Sequence, residues 1–290
     1  MRDLAWSQWT ELGVAGVARL HQKVAIDPEA LILFSSALDM IDPRLLDEAT
    51  DWCARFGSCI SISRLKNLLK GGLGEETSFY AFTKRVNQAS QLKWPSPNLA
   101  TSGKTETTRR ISGKSQAPDL ARPALLTLRL RGIFGVGTRA DIISELLAGS
   151  RNTAGELAQV GYTKRQVAKI LDDLTRAKVV ERRSANTPYR YALKDAKSLQ
   201  KWIGSNPSTI PAWSDCFRVL LEMHALICEY EHKSDNLRAL AMQRSFVAIA
   251  GSLERLGWGV PVAVGEPSKL WDAMIKWVLE HADAAATDRP

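Results

Sequence analysis

Thr153-Ala-Gly-Glu-Leu-Ala-Gln159 and, after Val160-Gly-Tyr162, Thr163-Lys-Arg-Gln-Val-Ala-Lys-Ile-Leu-Asp-Asp-Leu-Thr-Arg176 decide how this 290-residue chain reads. Each run opens on a threonine followed three residues later by Glu156 or Gln166. The hydroxyl satisfies a first-turn amide and the longer side chain reaches back to the cap, which makes two capping boxes in succession. Thr138-Arg-Ala-Asp141 offers a third hydroxyl cap, so helices are predicted to start near 139, 154 and 164. The first carries Ile142, Ile143, Leu146 and Leu147 inward and stops at Gly149. The second runs from Thr153 to Gln159 and ends before Gly161. The third sets Val167, Ile170, Leu171 and Leu174 on one stripe.

After Lys178 the period changes. Val179-Val-Glu-Arg-Arg183 and Tyr189-Arg-Tyr-Ala-Leu193 read as two short strands joined by the polar tip Ser184-Ala-Asn-Thr-Pro188. The order helix, short helix, turn, longer helix, hairpin is a helix-turn-helix with an appended wing. Opposite the apolar stripe of the third helix stand Arg165, Lys169 and Arg176, flanked by Lys164 and Gln166 near the amino end, where a helix-turn-helix reads bases. Arg165 suits a guanine edge and Gln166 an adenine edge, while Lys164 and Lys169 suit phosphates, and Thr163 is counted with them as a DNA-contacting residue. Arg182, Arg183, Asn186 and Arg190 make the hairpin basic. Asp172 stands on the same face and repels phosphate unless Lys169 and Arg176, three and four residues away, neutralise it.

Charge supports this placement. The chain carries a formal +8, and residues 122–195 alone hold 14 basic and 7 acidic groups. Residues 1–92 and 196–290 are each close to neutral, so the surplus marks a local polyanion footprint.

The segment 138–193 resembles the winged helix-turn-helix DNA-binding domain of the MarR- and ArsR-type bacterial regulators. The residues that carry the resemblance are Thr153-Ala-Gly-Glu-Leu-Ala-Gln, Gly161-Tyr-Thr-Lys-Arg-Gln-Val-Ala-Lys-Ile-Leu-Asp-Asp-Leu, Lys178-Val-Val-Glu-Arg-Arg and Tyr189-Arg-Tyr-Ala-Leu. It implies that the longer helix lies in the major groove and that the wing tip touches phosphate or minor groove. A homodimer bound to double-stranded DNA and acting in transcription regulation is the expected assembly.

Lys93 to Pro123 is rich in Pro, Ser, Thr, Gly and Lys, without apolar periodicity, and reads as a flexible linker over 93–122. Upstream, residues 1–92 read as a small helical domain. Asp27-Pro28 and Asp42-Pro43 open two of its helices, Ser61 or Ser63 a third, and Gly57 and Gly71-Gly72 act as stops. Residues 196–290 read as a second helical domain, for dimerisation or for a protein partner or small-molecule effector. Its helices are expected over Trp213 to Glu231, Leu237 to Leu256 and Lys269 to His281, the second with Leu240, Phe246, Val247, Ala250 and Leu253 inward. The predicted class is therefore mainly α, with the winged segment 123–195 between two helical domains.

Other chemistry is weakly represented. Gly103-Lys104-Thr105 and Gly113-Lys114-Ser115 lack the earlier glycine of a phosphate-binding loop. His224, Cys228 and His232 are spaced four apart on one predicted helix but supply too few ligands for a closed metal site, so no metal or cofactor is expected. Cys53, Cys59, Cys216 and Cys228 form no Cys-x-x-Cys pair, four histidines assemble no catalytic triad, and the chain is not expected to be an enzyme. The start, Met1-Arg-Asp3 with Trp6 and Trp9, lacks the order of a secretory signal, and no apolar run reaches membrane-spanning length, so a cytoplasmic location is expected. A second resemblance, of Asp42-Pro-Arg-Leu-Leu-Asp-Glu-Ala, Asp51-Trp52 and Ser61-Ile-Ser-Arg-Leu-Lys to winged-helix proteins encoded beside nucleotidyltransferase toxins, implies instead an antitoxin-like partner protein that autoregulates its operon.

Overall fold

A computed structural model of the chain describes residues 1–16, 21, 24–96, 112–183, 188–204, 209–261 and 267–287. Among them the chain is mainly helical. The helices are α1 (Arg2–Glu11), α2 (Pro28–Ser36), α3 (Pro43–Phe56), α4 (Ile62–Lys70), α5 (Glu76–Ala89), α6 (Leu126–Phe134), α7 (Thr138–Ala148), α8 (Ala154–Ala158) and α9 (Lys164–Arg176). A hairpin of β1 (Val180–Arg183) and β2 (Arg190–Leu193) follows, then α10 (Ala196–Ile203), α11 (Trp213–Tyr230), α12 (Asp235–Leu256) and α13 (Pro267–Ala286). No helix among the described residues is long and apolar enough to cross a membrane.

Four of the expected caps form, while Ser61 stands at the start of α4 without a side-chain cap bond. Asp27 and Asp42 accept from the amides of Ala30 and Leu45, with proline at the first helical position of α2 and α3. Thr153 and Thr163 form complete capping boxes with Glu156 and Gln166. Thr138 departs from its expected role. It lies inside α7, and Gly137, which carries no side chain, occupies the cap.

The first and last segments, expected to be separate helical domains, share one hydrophobic cluster. Phe34 of α2 stacks on Phe217 of α11 with centroids 4.3 Å apart, and α1 packs on α13. Trp213 donates to the carbonyl of Ala25 at 2.7 Å, closing the body further. The described part of the expected linker is also more ordered than its composition suggests. Trp94 is buried, and Asp51 of α3 accepts from the amides of Gly113 and Ser115. Arg122 makes a two-pronged pair with Glu11. These are buried side chains of the body satisfying linker groups, a pairing invisible to local composition.

In α12 the buried face also differs from the expected one. Ala241, Met242, Ser245, Ile249 and Leu253 turn inward, leaving Leu240 and Ala250 exposed, Val247 73% exposed and Phe246 half-buried. Several polar and small residues recur on the inner side, so hydropathy alone assigns the stripe to the wrong flank.

A second, smaller cluster gathers Leu130 of α6, Ile142 and Ile143 of α7, Leu157 of α8, Val167, Leu171 and Leu174 of α9, Val180 and Leu193. The hairpin is antiparallel, with Val180 opposite Leu193 and Arg183 opposite Arg190. Thr153 adds an antiparallel bridge to Arg190, and Tyr191 donates its amide to the carbonyl of Asn152. The hairpin is thereby tied to the start of α8. Helix α6 joins the two clusters, since Leu125 just before it and Leu128 face the body while Leu126 and Leu130 face the smaller core.

The two cores are locked together by a buried ionic network. Arg131 of α6 forms two-pronged pairs with Glu29 of α2 and Asp141 of α7, at 2.6–2.9 Å. Arg64 of α4 bonds Asp27 and Glu29 and donates Nε to the carbonyl of Val160, in the turn between α8 and α9. Asn67 donates to the carbonyl of Gly161 at 3.0 Å, and the Tyr162 hydroxyl donates to Asp141 at 2.7 Å. Burial opposes charge on Asp141, but Arg131 and Arg64 outweigh it and hold the carboxyl below the ordinary carboxylate value.

Gly161 sits at φ +108°, and a Cβ there would lie 3.1 Å from both Arg64 Cγ and Leu68 Cγ. Gly161→Ala therefore combines a left-handed backbone with a tight approach to the α4 side chains and is expected to cost about 1–3 kcal/mol. Urea unfolding measures it, and an unchanged midpoint contradicts the tight docking of this turn.

Candidate nucleic-acid interface

The sequence assigns ten residues to DNA contact: Thr163, Lys164, Arg165, Gln166, Lys169, Arg176, Arg182, Arg183, Asn186 and Arg190. Asn186 lies outside the described residues. The other nine are all exposed. Away from the buried Val167, Leu171 and Leu174, α9 presents Lys164, Arg165 and Lys169 toward its amino end, then Asp172 and Arg176.

Not all nine are equally free. Thr163 and Gln166 are engaged in the cap, with the Gln166 carboxamide oxygen accepting from the Thr163 amide at 3.0 Å and the Gln166 amide donating to the Thr163 hydroxyl at 3.2 Å. Two-pronged recognition of adenine by Gln166 requires that oxygen and hence release of the cap. Arg176 pairs with Asp173 on its own helix. In the hairpin, Arg182 lies over the Tyr189 ring, 4.2 Å from its centroid, and Arg183 pairs with Glu181. Both of these hairpin arginines are thus held by neighbouring side chains while their positions remain open to solvent.

These residues fall into two groups. Lys164 and Arg176, the first and last of the 13 residues of α9, lie about 18 Å apart along the helix at 1.5 Å rise per residue. At the carboxyl end, an open groove of about 820 Å³ brings Arg176 and Arg182 together, lined also by Asp172, Lys178, Glu181 and Lys194. Sequence periodicity does not assign Lys178 or Lys194 to the contact surface, since neither lies on the outward stripe of a helix or within a strand. Lys178 sits at φ +60°, with its amide and that of Val179 returning to the Thr175 and Leu174 carbonyls to close α9. The Asp172 charge faces this groove rather than the amino end.

At the amino end, α9 adjoins the body. A cleft of about 400 Å³ is lined by Asn67, Lys70 and Gly71 of α4 and its stop, by Gln159, Tyr162 and Thr163, and by Ser214, Asp215, Arg218 and Arg255. Its cations Lys70, Arg218 and Arg255 come from 1–92 and 196–290, segments whose near-neutral totals conceal them.

Cys228 Sγ is 3.6 Å from His224 Nε2, but α11 ends at Tyr230, so His232 is off the helix expected to carry all three. No group of three or more His, Cys, Asp or Glu side chains suited to a metal occurs among the described residues. Asp42, Asp51 and Arg64, which carry the antitoxin-like resemblance, serve as a helix cap, a backbone acceptor and a buried ion-pair partner. Burial raises the Cys59 thiol to about 11, against the pull of Arg131, and so keeps it protonated and unreactive near neutrality.

No protein-family model, curated protein or solved structure matches the chain.

Proposed function

We propose that residues 138–193 form a winged helix that binds duplex DNA, and that the protein regulates transcription as a homodimer. The observation that carries this reading is the exposure of Lys164, Arg165 and Lys169 on α9 while Val167, Leu171 and Leu174 opposite them are buried. A rigid cationic helix is thus presented outward from a packed scaffold, as groove reading requires. The hairpin supports it with Arg182, Arg183 and Arg190, and the Thr153 bridge fixes that hairpin beside the helix-turn-helix.

In this mechanism Arg165 reads a base edge, Lys164 and Lys169 hold phosphates, and the wing adds backbone contacts without sequence information. Occupancy of a promoter then competes with the transcription machinery. Recovery of bound genomic fragments by the purified protein, followed by titration of one fragment against salt, tests the reading. Enrichment of discrete fragments, with affinity falling steeply as salt rises, is expected. Failure to enrich any fragment overturns it.

Arg182→Ala with Arg183→Ala is expected to weaken binding to specific and random duplexes alike, by about tenfold, with the ratio between them preserved. Fluorescence anisotropy on both duplexes checks this. A changed base preference assigns these arginines to base reading instead.

A further inference from the structure

The cleft at the amino end of α9 has an unbalanced charge. Asp215, at the start of α11, is its one lining carboxylate among the described residues, and the lining cations are Lys70, Arg218 and Arg255. Arg255 holds Asp215 with two prongs, at 2.9 and 2.6 Å, and the Ser252 hydroxyl adds a bond at 2.8 Å. Asp215 is therefore well supplied with donors before Arg218 reaches it, at 3.2 Å. Arg218 turns its other Nη to the carbonyl of Gly71 at 2.8 Å, and its buried Nε has no hydrogen-bond partner among the described residues. Burial lowers the Arg218 pKa, with Asp215 opposing and Arg255 adding to the effect. Glu254, next to Arg255, is exposed and does not line the cleft.

Two guanidinium groups sharing one carboxylate, with an exposed lysine at the rim, leave the cleft about two positive charges in excess. An anion supplies the missing counter-charge, and planar guanidinium forks suit phosphate oxygens. The amino ends of α9 and α11 border the cleft through Thr163 and Ser214 and the carboxyl end of α4 through Lys70 and Gly71, so the side chains rather than the helix termini set its positive charge.

We propose that this cleft is a phosphate-binding site, in which Arg218, Arg255 and Lys70 hold the phosphate group. The group comes either from a free phosphorylated small molecule or from the backbone of a duplex seated on α9, whose amino end forms one wall; the second source rests on the DNA-binding reading above. A phosphate there bridges the body and the turn that leads into α9, so its binding is coupled to the placement of the helix.

Calorimetric titration of the full chain with inorganic phosphate and with ribose 5-phosphate, against chloride at equal ionic strength, tests the free source. Saturable binding in the range of about 0.01–1 mM is expected. Lys70→Gln should weaken it about three- to tenfold and Arg255→Gln at least about tenfold, because Asp215 then claims Arg218. Lys70 is exposed and leaves folding intact, so its variant keeps the test readable if Arg255→Gln is destabilised. The second arm measures duplex affinity of the same variants. No response to either phosphate, with a loss of duplex affinity and a shallower salt dependence in both variants, assigns the site to the DNA backbone. Binding of free phosphate by a protein that binds no duplex keeps the site and rejects the DNA-binding reading. Absence of free-phosphate binding together with unchanged duplex affinity in both variants overturns the proposal, as does wild-type phosphate affinity in both.

Discussion

Arg131→Met is expected to destabilise the protein by about 3–5 kcal/mol at neutral pH, the cost of removing one partner from a buried ion network. Glu29 and Asp141 are each buried and each take two prongs from Arg131, so the substitution leaves two carboxylates with a deficit of charge in a dry junction. Arg64 still touches both, at 2.6 Å and 3.9 Å, and compensates only in part. The pH dependence has a definite sign. The Asp141 pKa is lowered in the fold, so its contribution is fully present above the unfolded value of about 4 and is lost as pH falls through the folded value. In the variant Asp141 loses the larger of the two charges that hold its carboxyl down, so burial pushes it upward and it takes up a proton more readily. The gap between wild type and Arg131→Met is therefore largest near neutrality and narrows on acidification. Urea unfolding at about pH 7 and about pH 5 measures both effects, and a gap that widens in acid contradicts this account. Arg131→Lys keeps a charge without the second prong and should fall between the two.

Arg165→Ala with Lys169→Ala is expected to lower affinity for a selected genomic fragment by about 100-fold or more. In the proposed mechanism Arg165 would supply base-edge discrimination of about 1–3 kcal/mol, and Lys169 a phosphate contact whose loss would reduce the salt slope by about 1. Both side chains are exposed and neither contributes to the stripe under α9, so circular dichroism and the unfolding midpoint should match the wild type. Anisotropy titrations at two salt concentrations provide the measurement. Wild-type affinity in the double variant removes α9 from the reading role.

Much of the local architecture is legible in the sequence because it rests on short-range chemistry. The Asp27-Pro28 and Asp42-Pro43 starts, the paired capping boxes at Thr153 and Thr163, and the left-handed stop at Gly149 each need only neighbouring residues, and each forms as predicted. The third start fails by one residue for a local reason too, since Gly137 takes the cap from Thr138. What the chain conceals is long-range. Arg64 and Arg131 look like ordinary helix-surface arginines in sequence, and only the fold brings them to Asp27, Glu29 and Asp141 from separate elements. The docking of residues 112–122 is hidden likewise, because its partners Asp51, Gly13 and Glu11 lie far upstream.

The candidate site is legible to a similar degree. The exposed cations of α9 and of the hairpin follow from helical and strand periodicity. The cap duty of Gln166, and the convergence of Lys70, Arg218 and Arg255 at the start of α9, do not. Residues 1–92 and 196–290 are each near neutral in total, yet folding gathers three of their cations around one cleft.

Arg64 spans from the body to the carbonyl of Val160, and Asn67 to that of Gly161, so α9 has no swivel of its own. If two copies join through their bodies, the distance between their α9 helices becomes a fixed calliper setting rather than an adjustable tether. With DNA binding as proposed, an operator would then be selected by the interval between its half-sites as strictly as by their letters.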